Sequence, residues 1–308
     1  MRILVVGAGA IGGYLGGRLL EAGRDVTFLV RPRRAAELAG HGLHIRSSRG
    51  DVDLAAPKTV TADRLNEPYD LVMVSCKAYD LDEAMNSFAP AVASTTTVLP
   101  LLNGMRHLDA LKARFGPDRV IGGLCFFSAT RNDGGTIELL ADTDAFSFGE
   151  LDGARSSRIE AIAAEFAGVN FEAKASESIL QDMWEKWVFI ATAAGMGCLM
   201  RGSVGDIVAG GAAVFATALL EECAAIATSH GYKPSDASMQ RGRTILTMPG
   251  LALKPSMLRD IERGARTEGD HIVGDLLQRA GDTVATPLLR LANAHLNVYE
   301  AVRKAGLS

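Results

Sequence analysis

The sequence predicts an α/β protein, in which an N-terminal domain with a doubly wound, mainly parallel sheet is followed by an all-α C-terminal domain. Two observations lead to this prediction. In the first half of the 308 residues, short apolar runs alternate with helical patterns, as in parallel sheets covered by helices. From about residue 176 onward the apolar spacing is helical, with no clear strand. We therefore expect two domains, residues 1–172 and residues 173–308.

The N-terminal residues predict a strand, a helix and a second strand in that order. Ile3 to Val6 is a short apolar run rich in β-branched residues, as in a strand buried on both faces. A helical pattern follows, and Gly23 ends it. Asp25 to Val30 is then expected to form the second strand. The same periodicities predict a β-hairpin (44–46 and 52–54), strands at 70–76, 97–102 and 120–127, and helices at 81–89, 105–115 and 159–166.

The motif Gly7-x-Gly9-x-x-Gly12 stands between the first strand and the first helix. Glycines at these positions let the backbone approach a pyrophosphate, whose charge is stabilised by the helix N-terminus. The motif alone is weak, but a strand, a glycine turn, a helix and a second strand are the context of a Rossmann-type dinucleotide site. We predict that this turn, with Ala10 and Ile11, binds a nucleotide; a purely structural turn is the alternative.

The residue after the second strand distinguishes NAD from NADP. An Asp or Glu there binds ribose hydroxyls, whereas an arginine can bind the 2′-phosphate of NADP with two hydrogen bonds. This chain has Arg31, followed by Pro32, Arg33 and Arg34. Arg31 is the closest to the strand, so we predict that it binds the 2′-phosphate and that the cofactor is NADPH. A solvated turn is the alternative for these arginines.

Two polar residues stand beyond the carboxyl ends of predicted strands, where chemistry takes place in such folds. Lys77 directly follows the strand that ends at Cys76, and Asn103 follows the strand at 97–102 and precedes Gly104. A helix-entry or turn residue is the alternative for each. Because both occupy equivalent positions, we expect both to belong to the site.

Lys186 is nearly alone in the apolar segment 182–198, which has no further charge after it until Arg201. Burying an ammonium costs several kcal/mol unless other groups compensate it. The lysine is therefore either a functional residue or one that extends its charged end to water along an apolar surface.

The segment 254–277 holds two further candidates. Ser256 could be the N-cap of a helix, and Thr267 could cap a new helix beginning at Glu268 after a bend at Gly264. Such a bend could return Ser256 and Glu268 to one site, and the helix N-terminus would favour an ionised Glu268. Both residues could instead be capping residues only. His271 is expected on the helix surface.

These residues together make the chain resemble the ketopantoate reductase (2-dehydropantoate 2-reductase) family. The resemblance covers essentially the whole chain and rests on the order and spacing of five motifs. They are GAGAIG, CKAYD, LLNGM, MWEKW and PSMLRDI…RTEGDHIVG.

The resemblance implies a Rossmann domain joined to a helical domain, and NADPH-dependent reduction of a 2-oxo acid, ketopantoate, to a 2-hydroxy acid in pantothenate synthesis. The site residues that it implies are Lys186 as general acid, Glu268 to hold the lysine or the hydroxyl, Ser256 and Asn103 to bind substrate, Lys77 and Asn103 near the cofactor, and Arg31 at the 2′-phosphate.

One helix departs from the family pattern, which usually has asparagines four and eight residues after the lysine. Here these positions are Ile190 and Ala194, which share the face of the lysine, so the wall of the pocket is expected to be apolar. Gly195 and Gly197 are expected to add room. A site without these polar groups discriminates less strongly. Two alternatives follow: a reductase of a less polar 2-oxo acid, and an NADP-binding protein without catalysis.

The composition restricts the partners and the compartment. A net charge of −4 gives no electrostatic basis for binding nucleic acid or a membrane surface, and charges interrupt the apolar stretches before they could span a bilayer. The four cysteines have no CxxC spacing and the histidines form no ligand pair, so we expect reduced thiols and no metal. With no signal peptide, a cytoplasmic enzyme acting on a small molecule is expected, and a homodimer is compatible with the helical domain.

Overall fold

The computed structural model describes residues 1–140 and 144–306, and its chain separates into two compact units. The first unit holds Met1–Leu102 and His107–Leu180. The second holds the four residues Asn103–Arg106 together with the chain from Gln181 onward. One short internal segment of the chain therefore belongs to the second unit, although the residues on both sides of it belong to the first.

The first unit extends beyond the predicted boundary between residues 172 and 173. Ala173–Ala175 forms a short strand parallel to Phe146–Phe148, and the Ser176 N–H donates to the Phe148 carbonyl (2.8 Å). These bonds keep the segment in the first unit, and the division falls after Leu180. A strand of three residues is too short to show the alternation by which strands are predicted.

The first unit alternates strands and helices, as predicted. Its helices lie between strands of three sheets. In chain order the elements are β1 (Arg2–Val6), α1 (Ala10–Glu21), β2 (Asp25–Leu29), α2 (Pro32–His41), β3 (Leu43–Arg46), β4 (Val52–Leu54), β5 (Thr59–Val60), β6 (Leu71–Val74), α3 (Leu81–Phe88), β7 (Thr97–Pro100), α4 (Arg106–Phe115), β8 (Gly122–Phe126), β9 (Ala129–Arg131), β10 (Ile137–Leu139), β11 (Ala145–Gly149), α5 (Ser157–Phe166) and β12 (Ala173–Ala175).

The central sheet has the strand order β5-β2-β1-β6-β7, and every pairing in it is parallel. Residues 3–6 of β1 are buried, as expected of a strand covered on both faces. The order reverses at β1, because the chain adds β2 and β5 on one side and β6 and β7 on the other. In such doubly wound sheets, ligands bind beyond the carboxyl ends of the strands at this reversal. The prediction of a doubly wound parallel sheet is confirmed.

Two smaller sheets complete the first unit. One has the order β4-β3-β10-β9, in which β3 and β4 form the predicted antiparallel hairpin. The other has the order β12-β11-β8 and is linked to the central sheet by a parallel bridge between Val98 and Val120. The phenyl rings of Phe146, Phe148 and Phe166 pack together with centroid distances of 5.3 to 5.7 Å.

All the regular secondary structure among the described residues of the second unit is helical, as predicted. A π-helical segment, Asp270–Gly274, runs directly into the helix that follows it. None of the helices within residues 1–140 and 144–306 combines the length and apolar character needed to cross a membrane. The α-helices are α6 (Ile179–Met200), α7 (Val204–Ala209), α8 (Ala213–Ser229), α9 (Asp236–Leu246), α10 (Ser256–Glu262), α11 (Asp275–Ala280) and α12 (Pro287–Lys304).

Two glycines of α6 serve helix packing, which corrects the expectation that they add room to a pocket. A Cβ atom on Gly195 would lie 3.0 Å from Leu219 of α8 and 3.3 Å from Ala292 of α12. A Cβ atom on Gly197 would lie 2.6 Å from the ring of Pro255. The neighbouring helices and the proline therefore occupy the space that these glycines leave.

Candidate active site

The predicted nucleotide turn lies at the carboxyl end of β1 in the first unit. Gly7 has a φ of +96°, and its N–H donates to the carbonyl of Leu29 (2.9 Å), which joins the turn to the end of β2. A Cβ atom on Gly12 would overlap the Gly7 carbonyl oxygen and the Ser75 hydroxyl. Only glycine at position 12 therefore lets α1 begin this close to the ends of β1 and β6.

The first turn of α1 presents backbone amides to a ligand. The first hydrogen bond of the helix runs from the Gly13 N–H to the Gly9 carbonyl (2.9 Å). The amides of Ala10, Ile11 and Gly12 precede this bond, as orphan donors do at a helix N-terminus. Gly9 is exposed, and no protein atom lies within 4 Å of the place that its Cβ would take. These amides and the open space beside Gly9 fit an anionic group such as a pyrophosphate.

Arg31 follows β2 and is the residue before α2, where the sequence predicts a 2′-phosphate ligand. Its Nη2 atom lies 2.7 Å from Oε2 of Glu83 and 3.5 Å from Oδ2 of Asp80. The hydrogen bond to Glu83 and the charge of Asp80 raise the pKa of Arg31 above its ordinary value. The guanidinium therefore has two carboxylate partners, which the sequence pattern did not reveal.

Arg34 contacts the glycine turn, although its place in the sequence does not single it out from Arg31 and Arg33. Its Nε atom donates to the Ala8 carbonyl (3.2 Å), and its Nη1 atom donates to Glu37 (3.3 Å). Burial lowers the pKa of Arg34 from its ordinary value. Arg34 stands three residues after Arg31, at a spacing that places both on neighbouring parts of the α2 surface. This spacing was the one signal that could have identified it.

Lys77 lies beyond β6, at the same edge of the central sheet as the glycine turn. It caps a short 3₁₀ turn, Ala78–Asp80, and its side chain is half-buried. β6 is the direct neighbour of β1 on the side where the strand order reverses. The first unit thus brings the glycine turn, Arg31 and Lys77 to the carboxyl ends of three adjacent strands.

Lys186 forms a hydrogen bond with the second predicted polar residue, Asn103. Its Nζ atom donates to Oδ1 of Asn103 over 2.8 Å, and both side chains are half-buried. The two residues are 83 positions apart in the chain but belong to the same unit. The half-buried ammonium therefore has a polar partner from outside its own helix, as burial of a charge requires.

The segment that carries Asn103 is held against the π-helical segment. Gly104 has a φ of +78°, and a Cβ atom there would lie 3.2 Å from the ring and the carbonyl of His271. Nη1 of Arg106 lies 2.7 Å from Oδ2 of Asp270, and its Nε lies 3.4 Å from Oδ1 of Asp275. These contacts fix the position from which Asn103 reaches Lys186.

Glu268 is buried, with 7% of its surface exposed, and stands at the entry of the helical segment that begins at Gly269. Its carbonyl accepts hydrogen bonds from the N–H groups of His271 (3.1 Å) and Ile272 (2.9 Å). Nε1 of Trp187, the residue after Lys186, donates to the Ile272 carbonyl (2.9 Å). This bond ties the helix of the lysine to the turn that follows Glu268.

The residues before Glu268 form the predicted bend. Gly264 has a φ of +65°, and α10 has ended before it. The Thr267 hydroxyl accepts from the Gly269 N–H (3.4 Å), in agreement with the expected cap, and it donates to Glu300 of α12 (2.9 Å). The bend is therefore held by α12 as well as by a local cap.

His271 is buried, which corrects the expectation of a helix-surface position. Its exposed fraction is 7%, and burial lowers its pKa from the ordinary value. The π-helical geometry changes which residues share a face, so the spacing of an ordinary α-helix does not apply here. The imidazole supports Gly104, and thereby the segment of Asn103.

Ser256 is the first residue of α10 and is exposed. The N-cap of this helix is Pro255, and no side chain caps it, so the expectation that Ser256 is the N-cap is wrong. The ring of Pro255 packs at Gly197, eleven residues after Lys186 on α6. Ser256 therefore begins its helix beside the far end of α6.

The face of α6 beyond Lys186 is apolar, as the sequence predicts. Ile190 is half-buried and Ala194 is buried, with 4% exposed. Residues at these spacings lie within about 80° of the lysine around the helix axis. Neither side chain can form a hydrogen bond, and the hydrogen-bond partner Asn103 comes from another segment.

Comparison with known proteins identifies the family of the chain. The family model described as ketopantoate reductase PanE/ApbA matches residues 3–153, and the model of its C-terminal part matches residues 178–300. An uncharacterized oxidoreductase of Bacillus subtilis (strain 168), YkpB, is 38% identical over 303 residues, which cover 98% of this chain and 99% of that protein.

Solved structures extend the likeness to the whole fold. The crystal structure of 2-dehydropantoate 2-reductase from Geobacter metallireducens GS-15 has a TM-score of 0.88 and 30% identity, covering 97% of this chain and 99% of that one. A ternary structure of D-mandelate dehydrogenase with NADH and anilino(oxo)acetate has a TM-score of 0.89 at 20% identity, covering 99% and 100% of the two chains, a likeness of fold alone. The chain belongs to the ketopantoate reductase family of NAD(P)-dependent oxidoreductases.

Proposed function

We propose that the protein reduces ketopantoate (2-dehydropantoate) to pantoate with NADPH, and that Lys186 is the general acid. The observation that carries the proposal is the hydrogen bond from Lys186 Nζ to Asn103 Oδ1 (2.8 Å), beside a helix face that is apolar beyond the lysine, at Ile190 and Ala194. An ammonium held in this way has a fixed position and a proton to give. Membership of the family supports the reaction type.

Reduction of a ketone requires a hydride at the carbonyl carbon and a proton at the oxygen. A bound reduced nicotinamide supplies the hydride. As the hydride arrives, negative charge develops on the oxygen, and an ammonium sheltered from water stabilises this charge better than one in solution. Lys186 then transfers a proton from Nζ to the oxygen, which completes the alcohol, and the amine is reprotonated from solvent.

Three other residues orient the reacting groups in this proposal. Asn103 fixes the ammonium through its carbonyl oxygen, and its amide nitrogen can donate to the substrate. Glu268, buried at the entry of a helical segment, holds the lysine or the substrate hydroxyl. Ser256 binds a polar group of the substrate.

We assign the nucleotide to the glycine turn with Gly7, Gly9, Ala10, Ile11 and Gly12. The supporting observations are the amides of the first turn of α1 and the open space beside Gly9. Lys77 is placed at the same sheet edge, and Asn103 is a further contact of the cofactor.

The choice of NADPH rests on Arg31. Replacing Arg31 by alanine should weaken NADPH binding by about tenfold or more, because charge-assisted hydrogen bonds to the 2′-phosphate are lost. NADH affinity should change less than about twofold, since NADH has no such phosphate. Titration of both nucleotides against the variant measures the two effects. Arg33→Ala is the matched control, because it removes the same charge two residues away. Equal weakening of both nucleotides, or of neither, would contradict the role of Arg31.

The substrate is tested by following the absorbance of NADPH with ketopantoate and with other 2-oxo acids. We expect the highest kcat/KM with ketopantoate. Tight binding of NADPH without its oxidation by any acid would favour the alternative of a nucleotide-binding protein without catalysis. Because D-mandelate dehydrogenase was solved with NADH and anilino(oxo)acetate, aromatic acids and NADH belong in this comparison.

A second candidate is reduction of a less polar 2-oxo acid, which Ile190 and Ala194 favour. If an apolar acid is preferred, Ile190→Asn should raise the kcat/KM for ketopantoate relative to that for the apolar acid by about tenfold or more. The reason is that asparagine restores a hydrogen-bonding group on the face of Lys186. The ratio of the two kcat/KM values measures this. Val208→Asn, a half-buried apolar position of α7, controls for general destabilisation. An unchanged ratio would show that this face does not select the substrate.

We further propose that the enzyme acts in the cytoplasm, in pantothenate synthesis. All four cysteines lie within the described residues and none forms a disulfide, which suits a reducing compartment. A homodimer is compatible with the helical second unit, and light scattering would measure it.

A further inference from the structure

We propose that Glu83, assisted by Asp80, sets the cofactor preference by competing with the 2′-phosphate of NADP for Arg31. The inference rests on the proposed function, in which Arg31 binds this phosphate, and it adds a residue that determines specificity. On this proposal the protein discriminates less sharply between NADPH and NADH than Arg31 alone would allow.

The geometry places both carboxylates at the arginine. Nη2 of Arg31 lies 2.7 Å from Oε2 of Glu83 and 3.5 Å from Oδ2 of Asp80. Asp80 is the N-cap residue of α3, but its side chain forms no capping bond, and Glu83 stands in the first turn of that helix. Asp80 therefore comes from the connection between β6 and α3, which also carries Lys77, and Glu83 comes from the helix that follows it.

Arg31, Asp80 and Glu83 together carry a charge of −1, so the end of β2 is not a simple cationic site. A 2′-phosphate carries nearly two negative charges. To take the hydrogen bond of Arg31 Nη2 the phosphate must displace Glu83, and at any donor of Arg31 it must tolerate two carboxylates close by. NADH requires no such exchange, and its ribose hydroxyls can donate to a carboxylate, as they do to the acidic residue of NAD sites.

The pair is exposed enough for this exchange to take place. The side chains of Arg31 and Glu83 are each 65% exposed, and exposed ion pairs are worth little. The carboxylates therefore reduce the NADPH preference without abolishing it. The carboxylates compete with the 2′-phosphate for Arg31, and their attraction to the arginine weakens as salt screens the charges.

The test is the substitution Glu83→Gln, with nucleotide affinities measured by titration at one fixed ionic strength. We expect the Kd of NADPH to fall about 3- to 10-fold, whereas the Kd of NADH should change less than about twofold or rise. Kd ratios that stay the same as in the unaltered protein would overturn the inference. Thermal melting of the variant checks that its fold is intact.

Glu67 provides a matched control. Its Oε2 atom lies 2.7 Å from Nη2 of Arg2, and its side chain is also 65% exposed. It belongs to the amino end of the central sheet, because Arg2 is the first residue of β1. Glu67→Gln removes the same charge from the same kind of pair and should leave both affinities unchanged. A gain in NADPH affinity equal to that of Glu83→Gln would reduce the effect to net charge and overturn the inference.

A variant of Arg31 separates failure of this inference from failure of the proposed function. If Arg31→Ala weakens NADPH binding and Glu83→Gln has no effect, the competition is overturned while the phosphate role of Arg31 stands. If Arg31→Ala leaves NADPH binding unchanged, both are overturned. In the Arg31→Ala background, Glu83→Gln should have a smaller effect than in the unaltered protein, since only the repulsion between carboxylate and phosphate remains.

Discussion

Replacing Lys186 by alanine should lower kcat for 2-oxo acid reduction by about 10²- to 10⁴-fold, the usual contribution of a positioned general acid. The developing alkoxide would then have neither the ammonium nor its proton. NADPH affinity should remain largely intact, because the proposed nucleotide residues lie on other segments. Steady-state kinetics and NADPH titration measure the two quantities separately.

Lys58→Ala is the control for the loss of a lysine. Lys58 is exposed and paired with Asp25 (2.9 Å) at the amino end of β2. This variant should keep both turnover and NADPH binding. If Lys186→Ala lost NADPH affinity and turnover to the same extent, the lysine would have a structural role and the proposed mechanism would be wrong.

The substitution Gly12→Ala should abolish nucleotide binding and destabilise the first unit. The added methyl group would overlap the Gly7 carbonyl oxygen and the Ser75 hydroxyl, and a backbone oxygen cannot rotate away as a side chain can. Overpacking of this kind costs about 1–3 kcal/mol of stability. Denaturant unfolding measures this loss, and NADPH titration measures the loss of binding.

Two other glycines separate packing from ligand contact. The methyl group of Gly9→Ala would meet no protein atom within 4 Å, so the free energy of unfolding should stay unchanged. NADPH binding should be weaker, because the ligand is proposed to occupy that space. Gly40→Ala lies in α2, and its added methyl group would also have no protein atom within 4 Å. This variant should be more stable by as much as about 1 kcal/mol, with unchanged NADPH binding. NADPH binding by Gly9→Ala equal to that of the unaltered protein would place the pyrophosphate elsewhere.

Local patterns were sufficient to predict most of the fold. Some elements are determined by residues that are close together in the sequence, through their apolar periodicity or their turn residues. They include the buried strand at residues 3–6, the glycine turn and the helix of Lys186. The parallel sheet follows from their alternation, and the structure confirms it. The predicted boundary at residue 172 was early, because the short strand Ala173–Ala175 gains its stability from pairing with a distant strand.

The details of the site depend on contacts between distant residues, which local patterns do not show. The pairing of Lys186 with Asn103, the burial of His271 and the ion pairs of Arg31 with Glu83 and Asp80 all join separate segments. The sequence identified Asn103 and Lys186 individually, whereas their hydrogen bond could be found only from the structure. Their assigned roles, and that of Ser256, stay predictions until the variants are measured.

The four residues Asn103–Arg106 belong by their contacts to the second unit, although the chain on both sides of them belongs to the first. A hybrid enzyme assembled by exchanging everything after residue 180 between two relatives would leave this fragment behind. Lys186 would then meet a foreign asparagine loop, anchored through Arg106 to aspartates that it did not evolve with. A recombination experiment that exchanges the whole second unit therefore needs two further crossover points, one on each side of Asn103–Arg106, besides the one after residue 180.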